Sequence, residues 1–250
     1  MNKAFRIFKN NFSRILIFSL MILLPITIIQ EFLLVPFVPE LPEVSKATSQ
    51  EMLESYYSDT AILWYFMGAI LLSLFTELYR VGTIKIAYEA LEERTMGISE
   101  IMDFSMRIWP KTILTTLLYA LFVAFGFMLC FIPGVFMYVI YFLYLQIVVL
   151  TGIWGRKALV VSSFYTKKIL GKIILVISLG IGLQFAVSMV ASIFQGIISN
   201  TIAASIISVV VLFVGQFCST YTDILAAVFV YETKPDIDIG IFKKKTDNNE

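Results

Sequence analysis

The feature that most constrains this chain is the stretch from Thr112 to Gly155, 44 residues without one charged side chain, bounded by Lys111 and Arg156. One helix of that length would reach about 66 Å, twice the ~30 Å hydrocarbon core of a bilayer. Two spans fit instead, and Ile132-Pro133-Gly134 near the middle supplies the turn: proline removes a backbone donor and glycine tolerates the positive φ of a reversal. The stretch reads as a membrane hairpin.

Composition supports a lipid solvent. Hydrophobic residues make up 59% of the 250 and charged residues 15%, with mean hydropathy +0.87, whereas soluble domains have about 45–50% apolar and 25% charged residues. The net charge of +1 gives no basis for binding nucleic acid. The chain has no histidine, which excludes histidine-dependent hydrolases and histidine metal sites. No phosphate-binding glycine loop or nucleophile elbow is present. The expectation is a chain without cofactor that is not an enzyme.

Taken in order, residues 1–14 carry Lys3, Arg6, Lys9 and Arg14 without an acid, and Phe5, Phe8 and Phe12 recur at helical spacing, as in a short surface helix. The run to Val38 is too long for a signal peptide and reads as an uncleaved first span (about 15–38) with a kink at Pro25. Residues 39–59 form an acidic loop of net −4, with Thr48 to Glu51 as a capping box. A second span (about 60–79) continues as helix to about Arg94, and a new amphipathic helix is expected from Ser99 as N-cap, through Trp109, into span 3 (112–132). Span 4 covers 134–153. Residues 156–172 form a second basic amphipathic stretch. The 50 uncharged residues from Ile173 to Thr222 hold spans 5 (173–195) and 6 (202–223), dividing near 195–200. The expected fold is therefore all-α: one polytopic integral membrane domain, 1–231, with six transmembrane helices, cytoplasmic amphipathic helices and a polar tail at 232–250. Three units of surface helix plus two spans are visible as a weak repeat at Arg14-Ile-Leu, Lys111-Thr-Ile-Leu and Lys172-Ile-Ile-Leu; the same pattern also marks any inner membrane boundary.

Lysine and arginine set the orientation. In this topology, 18 of the 19 fall on one side and Lys46 alone on the other. Both termini are therefore expected in the cytoplasm, with the acidic loop outside.

Ionisable groups inside spans are costly and by default functional candidates. They are Glu31 near the outer end of span 1, Glu77 near the inner end of span 2, three residues before Arg80 and so able to pair with it, and Asp223 near the inner end of span 6. Against a role in an ion or substrate path stands interfacial placement satisfied by water or a partner. Gln146, Gln184 and Gln216 lie in spans 4, 5 and 6, where they would line a cavity or bond between helices. Span 5 carries the small-residue rows Ser178/Gly182/Ala186 and Ser188/Ser192/Gly196, which permit tight packing or dimerisation. Cys130 and Cys218 are too far apart in depth for a disulfide. The candidate contacts to anionic lipid are Arg6, Lys9 and Arg14, then Arg107 and Lys111, then Arg156, Lys157, Lys167, Lys168 and Lys172, each able to gain about 1 kcal/mol near such lipid.

Gly82-Thr-Ile-Lys-Ile-Ala87, Gly97-Ile-Ser99, Asp103-Phe104, Trp109-Pro110, Ile132-Pro133-Gly134, Gly155-Arg-Lys-Ala158 with Ser162, Phe229-Val-Tyr231 and Asp236-Ile-Asp238 follow one another along the chain. In that order they resemble the membrane domain found fused to some bacterial glycerophosphodiester phosphodiesterases, and its stand-alone relatives. The resemblance covers about residues 5–240 and implies a six-helix membrane domain with amphipathic juxtamembrane helices. The family's phosphodiesterase activity belongs to a separate soluble barrel with histidine and acidic metal ligands, and does not carry over to these residues. Thr151, where relatives often have an acidic or polar residue, and the absence of an arginine cluster after Tyr231 are departures. The function expected is a non-enzymatic membrane protein binding membrane lipids, or a membrane-protein partner or second copy, through its basic juxtamembrane helices. The alternative is a transporter or exporter component, including self-immunity against a cationic peptide captured by the acidic loop.

Overall fold

A computed structural model describes residues 2–34, 60–197 and 201–233. Within them the chain is all-α, with no strand among the described residues, and six helical segments are long and apolar enough to cross a membrane. It is a polytopic membrane protein. The helices are α1 (Asn2–Asn10), α2 (Phe12–Ile29, continuing as a π-turn over Gln30–Leu34), α3 (Thr60–Leu91), α4 (Ile98–Leu129), α5 (Phe131–Ile140), α6 (Tyr144–Thr151), α7 (Arg156–Lys168), α8 (Leu170–Ile197) and α9 (Thr201–Thr233). The acidic loop with its capping box, the end of the first span, and the tail beyond Thr233 lie outside the described residues.

The two ends of the bundle differ. Beyond residue 77 of α3 and residue 222 of α9, the helices are buried on nearly every side. Val81, Ile84, Ala87, Ile224, Leu225, Ala227 and Val230 are closed off, together with Leu145, Ile147 and Val148 of α6. Residues that are apolar all round make such a fully packed core. α1 closes this end by burying Ala4 and Ile7, while Phe8 meets Phe217 and Tyr221 edge-on at 5.7 and 6.0 Å. The surface helix is thus docked on α9, through a face different from the Phe5 side, which is exposed. At the opposite end the helices splay. Leu63, Met67 and Leu71 of α3, Leu121 and Phe125 of α4, and Ile181, Phe185 and Ile193 of α8 point outward, as lipid-facing residues do.

Several sequence expectations are corrected. The reversal of the hairpin is at Cys130, an extended residue between α4 and α5, and Pro133-Gly134 lies in the first turn of α5, where a missing N–H costs nothing. Gly134 has no positive φ; its smallness is what matters. A Cβ on Gly126 of α4 would stand 3.0 Å from the Gly134 Cα and 3.1 Å from the Pro133 carbonyl oxygen, so the two glycines let the helix backbones touch. Span 4 is interrupted at Tyr141–Leu143, leaving α5 and α6 as separate helices. The amphipathic helix expected from Ser99, the start of α4, is capped at Gly97, whose N–H donates to the Glu100 carboxylate at 3.0 Å, and Ser99 is inside it. The last helix runs on to Thr233, ten residues beyond the expected end of span 6. Positive φ occurs at Gly152 (72°) and Gly155 (66°), where the chain turns from α6 into α7, a conformation glycine adopts without strain. On α8, Gly182 has open space around it, Gly180 is the residue that approaches α9 at Thr222, and Ala186 lines a groove between α8 and α9. Both cysteines are free.

The backbone contact at the hairpin yields a test. Gly126→Val should force α4 and α5 apart and destabilise the protein by about 1–3 kcal/mol, seen as a lower thermal midpoint in detergent. Gly134→Ala should cost less, because it meets the half-exposed Phe127 ring, which can rotate away. Equal midpoints for wild type and Gly126→Val would contradict the close packing.

Candidate functional site

Among the described residues, Arg80 is the one guanidinium with ion pairs to acids of two spans. Its Nε and Nη2 donate to both oxygens of Asp223 on α9, at 3.0 and 2.9 Å, and its Nη1 donates to Glu77 Oε1 at 3.0 Å. The fork of donors matches a carboxylate in a bidentate pair. Helical spacing places Glu77 and Arg80 on one face of α3, and Asp223 reaches them because α3 and α9 pack together at this level. Glu77 and Asp223 are buried and the Arg80 side chain is 29% exposed. Two carboxylates thus face one cation. The second Glu77 oxygen, Oε2, has no hydrogen-bond partner.

A hydrogen-bonded layer adjoins the cluster. Tyr79, next to Arg80, shares its hydroxyl with Ser19 of α2 at 2.9 Å and Thr220 of α9 at 2.5 Å, so three spans are joined at one level. On the other side, the Tyr144 hydroxyl of α6 stands 3.5 Å from Glu77 Oε1 and 3.1 Å from Thr116 of α4, and its ring stacks on Tyr119 at 4.7 Å. Trp109 Nε1 donates to the Leu74 carbonyl at 2.8 Å, and Ser105 faces Gly82. These contacts register α4 against α3, so that exposed Arg107 and Lys111 of α4 bracket the level of the cluster.

The cluster forms the charged end of a cavity of about 760 Å³. Its walls come from α2, α3, α8 and α9, with Tyr138 and Phe142 from α5 and the segment after it. α8 packs along α9 and meets α7 at its start, but makes no comparable contact with α3. The cavity is that gap. Ser73, Thr76, Gln184, Gln216, Ser219 and Thr222 give it a polar lining, and Leu72, Ile177, Ile181 and Phe185 an apolar one.

The sequence candidates divide accordingly. Glu77, Asp223, Gln184 and Gln216 come together at the cavity, and Gln184 Nε2 also bonds across to Ser219 Oγ at 2.6 Å and the Gly215 carbonyl at 3.2 Å. Glu31, in the π-turn of α2, is held separately by hydrogen bonds from Ser205 and Ser208 of α9. Gln146 is apart from the cavity, fully buried in α6, its side-chain amide atoms without partners, while its backbone carbonyl accepts from the Tyr88 hydroxyl at 3.1 Å. The spacing of Glu77 and Arg80 predicts their pairing; the structure adds Asp223 of α9 as the second partner of Arg80. A signal was available, since Glu77 with Arg80 on span 2 and Asp223 on span 6 are charges at the same end of their spans. Tyr79, Tyr144 and Ser19 carry no signal in the sequence, because a hydroxyl in an apolar run gives no sign of its partner.

Among the basic candidates, Arg6 and Lys9 are exposed on α1, Arg14 bonds Asn11 at 3.4 Å, and Arg107 lies 6.0 Å over the Phe104 ring, which also holds Lys85 at 4.6 Å. Lys111, Arg156 and Lys157 are exposed, Lys167 and Lys168 close the last turn of α7, and Lys172 sits 5.1 Å over Phe229. In α7, Tyr165 is buried, which pushes its phenol above the usual 10. Among the described residues, no group of three His, Cys, Asp or Glu could hold a metal ion. A scan against protein-family models, a search of curated proteins and a search of solved structures each find nothing that matches the chain.

Proposed function

We propose that this multi-pass protein is a non-enzymatic lipid-binding protein of a bacterial cytoplasmic membrane, with both termini on the cytoplasmic side. The observation that carries the reading is the basic and apolar surface around the junction of α7 and α8. There Lys167, Lys168 and Lys172 are exposed beside exposed Phe164 and Leu170. Charge of this kind next to inserting apolar groups is what anionic lipid attracts. The distribution of charge supports the orientation. The described Lys and Arg lie toward the end of the bundle where α3 and α9 finish and α2, α4 and α8 begin; among the described residues none lies at the opposite end. Kinship with the membrane domain of glycerophosphodiester phosphodiesterases belongs to this proposal and rests on the sequence motifs.

A second reading, movement of a solute across the membrane, is favoured by the cavity between α3 and α8. Against an open path stands the packed core beyond Tyr79 and Arg80, where Val81, Ile84 and Ala227 are closed off. Capture of a cationic peptide by residues 39–59 concerns a segment outside the described residues.

Changing Lys167 and Lys168 together to Gln should lower co-purifying phosphatidylglycerol by about fivefold per lysine, from ~1 kcal/mol each, as measured by lipid mass spectrometry of the purified protein. Unchanged retention would remove the reading. For orientation, an impermeant maleimide on intact cells should label Lys46→Cys and leave Lys244→Cys unlabelled until lysis, with Cys130 and Cys218 replaced by serine; the reverse pattern would invert the topology.

A further inference from the structure

Residues of α2, α3, α8 and α9, with Tyr138 of α5, build the cavity between α3 and α8 as a slot that is charged at one end. Along α3 its lining runs from Tyr65 to Arg80, 15 residues or about 22 Å at the helical rise. That is the depth of one leaflet's acyl layer, about 15 Å, plus a headgroup. Its volume of about 760 Å³ is in the range of ligand sites. The charged end lies at the level bracketed by exposed Arg107 and Lys111, whose side chains seek the membrane–water boundary. The other end is lined by Leu34, Tyr65 and Phe185, at acyl-chain depth. The slot opens sideways, because α8 stands off from α3.

The charge at its head discriminates between ligands. With Arg80 engaged by both oxygens of Asp223 and by Glu77 Oε1, the three side chains carry a formal −1. An anion would add to that charge in a desolvated place, whereas a cation would cancel it. Glu77 is 8% exposed and lines the slot, with its Oε2 closed off and unpartnered. A primary ammonium, with three donors and one charge, is the headgroup that offsets the charge of the cluster. We infer that the slot between α3 and α8 is a binding site for a single amphiphile with a primary-amine headgroup, an aminophospholipid, whose ammonium is held by Glu77 and Asp223 and whose chain lies along α3 and α8. This goes beyond the anionic-lipid reading and does not depend on it: the two sites have opposite charge and different residues.

The test is native mass spectrometry of the full chain released from nanodiscs containing equal parts of phosphatidylethanolamine, phosphatidylcholine and phosphatidylglycerol. Wild type should retain one phosphatidylethanolamine about tenfold over phosphatidylcholine, whose quaternary ammonium has the same charge but no N–H. Glu77→Gln should bring the two lipids level. Because that change also touches the Arg80 pair, Ser73→Phe provides a variant that fills the slot from an exposed position and leaves the charges in place; it should abolish phosphatidylethanolamine retention while helicity and thermal midpoint stay at wild-type values. Equal retention of phosphatidylethanolamine and phosphatidylcholine by wild type, or full retention by Ser73→Phe, would overturn the site. Displacement by free ethanolamine at lipid-equivalent concentration would overturn the amphiphile. Phosphatidylglycerol counts in the same spectra, wild type against the Lys167/Lys168 variant, report separately on the basic surface.

Discussion

The structure depends on the clasp of Arg80 around Asp223. It joins α3 and α9, helices whose partners are 143 residues apart in the chain, and it does so where an unpaired charge would be costly. A guanidinium suits the position because its planar fork satisfies both oxygens of one carboxylate and still reaches a second. The neighbouring Ser19–Tyr79–Thr220 layer brings α2 into the same knot. Removing any member would leave a polar group without its partner in a place that water reaches poorly, so the register of three spans is specified here more sharply than apolar packing alone could specify it. In lipid, apolar side chains have no reason to prefer a neighbouring helix over an acyl chain.

The bundle is packed on one side of the clasp, and on the other α3, α4 and α8 turn apolar residues outward while α4 and α5 stay in contact at Gly126 and Gly134. Beyond it, the ends of α3 and α9 are buried on nearly every side and covered by α1 and α6. Before it, α3, α4 and α8 present leucine, isoleucine and phenylalanine outward. α8 is held by α9 and by α7 at its foot, which leaves the gap toward α3 with the clasp at its head. The same ion cluster that fastens the bundle therefore also sets the charge of the cavity, and structure and binding cannot be separated at Glu77 and Asp223. They can be separated at Ser73, which lines the gap without bonding the cluster.

Six spans were legible because their signal is length: uncharged runs such as 112–155 and 173–222 admit little else. The pairing of Glu77 with Arg80 was legible from spacing within one helix. Asp223 as the third member was not, since nothing in a sequence states which distant helix lies alongside. The hairpin shows the same limit at a finer scale. Pro133-Gly134 reads as a turn by propensity, yet the reversal is at Cys130, because Gly126 on the facing helix makes Gly134 a packing residue. Ser99 is a better N-cap by type than Gly97, but the Glu100 carboxylate satisfies the Gly97 N–H and moves the helix start back. In each case a contact outside the local window overrode a local preference.

The most direct test of the account is a set of substitutions at the clasp, followed by reversible unfolding in detergent. Arg80→Met alone should destabilise the protein by about 3 kcal/mol, the low end for breaking a buried pair because Arg80 keeps 29% of its side chain exposed. Arg80→Met combined with Glu77→Gln and Asp223→Asn should recover most of that loss, since no uncompensated charge remains. If the three changes were instead additive, with the combination worse than Arg80→Met by the sum of the others, Arg80 would not be the clasp that joins these helices.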